Sequence, residues 1–167
     1  MGLKDHRTLE EINTQVVHQF SKTLEMFGLT PSEARLFVTL YIHREPMTLD
    51  EMSEAMEKSK TSMSTGIRSL LDQGLVERVW KKGFRKDYFK AEDNLYKSFM
   101  TAYIQKWLDA TNQQQTALDL LEKQLEKEDQ STRKTSEKAD KLFEKIEHMK
   151  HFHQLIFKAF EDLEPNK

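Results

Sequence analysis

The apolar residues of this 167-residue chain change their spacing twice, and the stretch between the two changes decides what it can fold into. Up to Gln73 they recur three and four apart, the period of helices that bury one face. From Leu75 to Lys81, and again from Lys86 to Ala91, the composition turns to Val, Trp, Tyr and Phe. Lys82-Gly83 sits between the two runs as a turn, so a short hairpin is predicted there. The helical period then returns. The fold class expected is mainly α with one small β-hairpin.

The helices before the hairpin carry their own boundary signals. A first helix is predicted from about Thr8 to Phe27, with Leu9, Ile12, Val16, Phe20, Leu24 and Phe27 along one stripe and Gly28 as its stop. Thr30-Pro31-Ser32-Glu33 is a capping box with proline in the first turn, and opens a helix bearing Leu36, Phe37, Leu40 and Tyr41 that stops before Pro46. Thr48-Leu49-Asp50-Glu51 repeats the device for a short helix with Met52, Ala55 and Met56 inward. After a break at Glu57 to Ser59, a third helix runs to about Gln73, with Gly74 as its C-terminal stop. Helix, short helix, helix and basic hairpin, in that order, predict a winged helix-turn-helix over residues 8–95, the N-terminal helix included.

Residues 96–163 differ. Ile104, Trp107, Thr111, Gln114, Leu118, Leu121 and Leu125 form one heptad-like seam. Past a polar break at Asp129 to Thr132, a second seam comprises Ala139, Leu142, Ile146, Met149, His153, Ile156, Phe160 and Leu163. Two such helices predict a long C-terminal hairpin that supplies dimer surface, since helix-turn-helix proteins usually engage half-sites as pairs. Packing of the seams within one chain is the alternative.

Charge narrows the function. Residues 58–90 carry nine Lys and Arg against Asp72, Glu77 and Asp87, a surplus of six. The rest of the chain holds 17 basic and 25 acidic residues, a net of −8. A basic segment inside an acidic protein is a footprint for a polyanion. There is no cysteine, hence no disulfide, thiolate metal site or cysteine nucleophile. No apolar run approaches the ~20 residues of a membrane span, so a soluble, cytoplasmic protein is expected.

Within the third helix, Met63, Ile67, Leu70 and Leu71 mark the buried face. Ser62, Thr65 and Ser69 project opposite, with Thr61 and Arg68 beside them and Lys60 and Ser64 completing the candidate DNA-binding set. Small side chains let a helix enter the major groove, and Arg68 is suited to bidentate pairing with guanine. A solvated surface would more often use Glu, Lys or Ala than the mediocre helix formers found here, which include Gly66. On the hairpin, Lys81, Lys82, Arg85 and Lys86 suit phosphate contact, with Arg85 near the tip able to enter a minor groove and Asp87 near enough to hold Arg85 or Lys86. Lysine is also a normal guard of an exposed strand edge.

The segments from Pro46 to Met52, from Ser59 to Gly66 and from Val79 to Asp87 closely resemble the GbsR-type (GbsR/OpcR) branch of MarR-like winged-helix regulators. The resemblance is good over about residues 8 to 110 and architectural beyond. It implies a homodimeric repressor on a double-stranded DNA operator, controlling uptake of choline and related compounds or their conversion to glycine betaine. GbsR-type members sense choline; OpcR-type members are not clearly choline-responsive, and both alternatives stay open.

A quaternary ammonium offers no N–H donor, so aromatic faces must hold it. Tyr96, Phe99, Tyr103 and Trp107 lie on one helical stripe after the hairpin, and Tyr41, with Phe27 and Phe37, could face them. The same spacing suits an ordinary core. Glu144, His148 and His151 share a helix face, but no complete metal set is predicted and no cofactor is expected. No phosphate-binding glycine loop, nucleophile elbow or zinc-protease motif points to an enzyme. A winged-helix scaffold for protein partners is the remaining rival.

Overall fold

The structure is a computed structural model that describes residues 2–83, 85–132 and 137–163, with the side chains of 2–7, 131 and 132 outside the description. In chain order the elements are α1 (Gly2–Met26), α2 (Pro31–His43), α3 (Leu49–Met56), α4 (Lys60–Asp72), β1 (Val76–Val79), β2 (Tyr88–Ala91), α5 (Leu95–Thr132) and α6 (Glu137–Glu161). A mainly helical chain with one two-stranded antiparallel sheet is what the change of period predicts. The chain divides into two compact units, Met1–Ala102 and Tyr103–Lys167, and the division falls inside α5.

In the first unit both capping boxes form. Thr30 Oγ1 accepts from the Glu33 N–H at 3.3 Å, while Glu33 Oε2 accepts from the Thr30 N–H at 2.8 Å. Thr48 and Glu51 repeat the exchange at 3.3 and 2.6 Å. The left-handed Glu57 (φ 52°) ends α3. Gly74 (φ 69°) ends α4, where the Leu75 N–H reaches the Leu70 carbonyl and the Gly74 N–H the Leu71 carbonyl. The core gathers Leu36, Phe37 and Leu40 of α2, Met52 of α3, Met63 and Leu70 of α4, and Leu75, all at or near full burial. Each such side chain contributes about 1.5–3 kcal/mol through burial.

The hairpin pairs Val76 with Ala91 and Val79 with Tyr88. Its strands are four residues each, shorter than predicted, and 80–87 form a wing loop whose Phe84 lies outside the described residues. The buried Phe89 also exchanges backbone hydrogen bonds with Met47, at 2.8 and 2.9 Å, which ties the wing to the residue just before the α3 cap.

Three expectations need correction. α1 starts at Gly2 rather than Thr8, and only the C-terminal end of its stripe enters the core: Leu24 is buried, while Leu9, Ile12 and Val16 are exposed. Ala55 is exposed, because an eight-residue helix turns only Met52 and Met56 inward. The break expected at Asp129 to Thr132 is helical: Asp129, Ser131 and Thr132 are mediocre helix formers, but the strong formers ahead of them, Glu122 to Glu128, carry the helix through. The joint to α6 falls at 133–136, outside the described residues.

In the second unit Ile104, Leu108, Thr111 and Ile146 are buried. Thr111 satisfies its hydroxyl on the Trp107 and Leu108 carbonyls, at 2.8 and 3.1 Å. Lys150 of α6 meets Asp119 and Glu122 of α5 at 3.0 and 2.8 Å, and Glu147 of its own helix at 2.9 Å. Of the seam positions, Trp107, Gln114, Leu121, Leu142, Met149 and Leu163 stay exposed, and Leu71 of the first unit is only half-buried.

Candidate nucleic-acid interface

α4 is built to show one face. Ser59 caps it, its hydroxyl accepting from the Ser62 N–H at 3.2 Å. Met63, Ile67 and Leu70 bury the inner face, leaving Lys60, Thr61, Thr65 and Arg68 exposed and Ser62, Ser64 and Ser69 half-buried. Gly66 belongs to the inner side: a Cβ there would stand 2.9 Å from Leu36 Cδ2, so glycine lets α4 press onto α2. Two outward hydroxyls are engaged along the helix. Thr65 donates to the Thr61 carbonyl at 3.1 Å, and Ser69 Oγ accepts from Gln73 Nε2 at 3.3 Å. Arg68 has no partner among the described residues, which leaves its guanidinium available to a base edge or a phosphate.

The wing sorts its cations by partner. Arg78 lies 3.7 Å from Asp87 and 5.7 Å from the Phe89 ring centroid. Asp87 therefore holds Arg78 rather than Arg85 or Lys86: it sits diagonally across the hairpin, two positions from Phe89, the direct partner of Arg78, within reach of a long side chain. Lys81 sits over the Tyr88 ring at 4.4 Å. Gly83 (φ 87°) supplies the left-handed turn residue. Lys82 and Arg85 are exposed and unpaired among the described residues.

α4 and the wing meet at Asp50, in the first turn of α3. Its Oδ1 lies 2.8 Å from Lys60 Nζ and its Oδ2 2.8 Å from Lys86 Nζ. The hydrogen bonds from Lys60 and Lys86 hold the Asp50 carboxyl down at about 2. The same contact pushes Lys86 above its ordinary value. Sequence reasoning missed this residue, since Lys86 stands 36 positions away and no local pattern joins them. It also passed over Trp80, 79% exposed beside Lys81, an unusual place for so large an apolar ring.

The aromatic residues singled out for a ligand are divided between the two units. In the first, Phe99 is buried in the core, edge-on to Phe27 and Phe37 with centroids 5.7 and 4.9 Å away. Tyr41 stacks on Phe37 and lines a cleft of about 480 Å³ that also contains Arg44, Lys90 and Asp93. Tyr96 is largely exposed. In the second, Trp107 stacks on Phe160 at 5.1 Å and 9°, with Tyr103 edge-on to both. Among the described residues no three His, Asp or Glu side chains form a metal-binding group; Glu144, His148 and His151 are all exposed. No described helix is long and apolar enough to cross a membrane.

Residues 24–97 match the family described as the sugar-specific transcriptional regulator TrmB. The chain is 26% identical over 159 residues to the HTH-type transcriptional repressor OpcR of Bacillus subtilis (strain 168), covering 93% of this chain and 86% of that protein. It is 34% identical over 119 residues to the HTH-type transcriptional repressor GbsR of the same organism, covering 71% and 66%. A solved transcriptional regulator shares the fold, with a TM-score of 0.56, 19% identity and coverage of 90% and 93%.

Proposed function

Because the chain belongs to the GbsR/OpcR-type helix-turn-helix transcriptional regulators, and is thus a DNA-binding protein rather than an enzyme, we propose that it works as a homodimeric repressor of osmoprotectant genes. The genes would be those for uptake of choline and its relatives or for their conversion to glycine betaine. α4 enters the major groove of the operator, Arg68 contacts a base edge, and Lys60, Thr61, Ser62, Ser64, Thr65 and Ser69 line the approach. Lys81, Lys82, Arg85 and Lys86 take phosphates along the wing.

One observation carries this reading: Asp50 binds both Lys60 at the start of α4 and Lys86 on the wing, which brings the two basic elements together, and Arg68, Lys82 and Arg85 are exposed and without a partner among the described residues. Unpaired cations release DNA counterions at no cost in lost ion pairs. The exposed apolar residues Leu9, Ile12 and Val16 on α1, and Leu142 and Met149 on α6 with Leu163 just past its end, support pairing of two copies. The division 8–95 for DNA binding and 96–163 for dimerisation and effector response belongs to the same proposal.

The test is fluorescence anisotropy with the DNA upstream of the protein's own gene. Arg68→Ala should weaken binding to that fragment at least tenfold, and binding should fall steeply with salt. Tight binding that ignores Arg68, Lys82 and Arg85 would overturn the reading.

For the effector, choline on the ring faces of Tyr103 and Trp107 in the second unit is the proposal; Tyr41, Tyr96 and Phe99 are separate candidates within the first. Calorimetric titration of choline against wild type and Trp107→Ala tests it, with glycine betaine for comparison. A specific observation favours an OpcR-like repressor that choline does not relieve. Phe160 already covers one face of Trp107, Phe99 is committed to the core, and beside Tyr41 the Arg44 guanidinium repels a cation while the one carboxylate lining that cleft, Asp93, is taken by Lys90. No heat from choline, in protein that still binds DNA, would select that second reading.

A further inference from the structure

Asp50 stands out among the charged residues of the first unit because both of its oxygens are spent on cations brought from elsewhere in the fold. Lys60 opens α4 and Lys86 lies on the wing, each ammonium 2.8 Å from its own carboxylate oxygen. The capping of α3 does not need Asp50, since Thr48 and Glu51 satisfy that helix end between them. An acidic residue in a first helical turn is favourable in itself, but that role requires no lysine. A carboxylate gripped by two ammonium groups has the charge and the oxygen acceptors of a DNA phosphate, in the place where α4 and the wing converge.

We propose that Asp50 is a specificity-determining residue: in the DNA-free protein its carboxylate occupies the position of a phosphate between Lys60 and Lys86, and withholds both lysines from DNA that is not seated on α4. The inference rests on the proposal that α4 and the wing face DNA. On arbitrary duplex the protein is held by phosphate contacts alone, and two cations already neutralised contribute little to that hold. When α4 docks in its groove, phosphates arrive beside Lys60 and Lys86 and exchange with Asp50. The exchange is easy because all three side chains are about half exposed or more, and exposed ion pairs contribute little net stability. Asp50 therefore weakens sequence-independent binding without sealing the surface. The carboxyl stays ionised at any pH at which the protein would meet DNA, since its proton is lost at about 2.

The experiment compares wild type with Asp50→Asn on a random-sequence 30-base-pair duplex (an arbitrary probe length), by anisotropy across about 50 to 200 mM KCl. Each freed lysine adds about 0.9 to the magnitude of the slope of log K against log salt. Asn keeps the shape and removes the charge, so the slope should steepen by about 1.8, with affinity rising about tenfold or more at the lower salt. In a Lys60→Met, Lys86→Met background the Asp50→Asn change should leave the slope where it was. An unchanged slope in the single variant, or weaker binding at an unchanged slope, overturns the proposal and leaves Asp50 a structural tie. Far-ultraviolet circular dichroism checks folding; should Asn fail there, Asp50→Ser carries the same prediction. A Lys82→Ala, Arg85→Ala variant separates the two levels of inference. If it binds random duplex like wild type, the DNA face itself is misassigned; if it loses binding while Asp50→Asn shows no slope change, the Asp50 inference fails alone.

Discussion

Gly66 of α4 and Leu36 of α2 are in contact that leaves no room for a methyl group: a Cβ on the glycine would stand 2.9 Å from Leu36 Cδ2. Leu36 is almost fully buried and has little space to yield. Gly66→Ala gains about 1 kcal/mol of helix propensity but incurs about 1–3 kcal/mol of overpacking. The expected net is a destabilisation of about 1 kcal/mol, with α4 displaced and DNA affinity reduced more than stability alone explains. Urea denaturation and anisotropy on one preparation measure both.

Thr48→Ala should cost about 1 kcal/mol by removing one half of the α3 capping box. The variant also changes the acid response. Glu51 is held below its ordinary 4.5 by the Thr48 backbone N–H and hydroxyl, which both donate to its carboxylate. A carboxylate with a depressed folded value stabilises fully above its unfolded value, and the contribution is lost as pH falls through the folded one. Stability should therefore decline below about pH 4.5, and decline less in Thr48→Ala, where one of those donors is gone. Urea midpoints between neutrality and the acid range give the comparison.

In the second unit, Lys150→Met should lower the melting temperature and reverse the local pH response. Lys150 lies among Glu122, Glu147 and Asp119, whose hydrogen bonds push its proton affinity above the ordinary 10.5. A lysine so raised contributes fully below its unfolded value, so the wild type should show no loss from this site as pH rises through neutrality. Without the ammonium, the carboxylates on α5 and α6 repel one another, and acidification towards pH 5 should recover part of the loss. A melting temperature equally low at both pH values would contradict this account.

Trp80 and Trp107 are the two tryptophans, one strongly exposed and the other stacked on Phe160. In Trp107→Phe the remaining emission reports the wing. Adding duplex should quench or blue-shift it, and raising salt to about 0.5 M, where phosphate contacts weaken, should restore it. Emission indifferent to DNA would remove Trp80 from the contact surface.

Features fixed within a few residues are legible in the sequence itself. Both threonine caps, the Gly74 stop and the Gly83 turn follow from local backbone chemistry. The inner face of α4 followed from helical period. What periodicity could not convey was which apolar stripes find a partner within one chain: Leu9 and Leu24 share a stripe on α1, yet one is exposed and the other buried. Contacts distant in sequence were equally hidden. Nothing near Asp50 announces Lys86, and nothing near Gly66 announces that Leu36 lies against it. The aromatic stripe kept its helical spacing, but the unit boundary between Ala102 and Tyr103 separates its residues.

That Lys82 and Arg85 have no partner among the described residues has a kinetic consequence. Charges cancelled by close partners fade quickly with distance, whereas these two on the wing project their field outward to about a Debye length, ~8 Å in cellular salt. A duplex approaching the basic segment feels attraction before any atom touches, while the acidic remainder of the chain is repelled. Encounters are thereby biased towards wing-first collisions, so orientation is partly selected during diffusion rather than after contact. The wing would then govern how fast the protein finds DNA, and the outer face of α4 how long it stays.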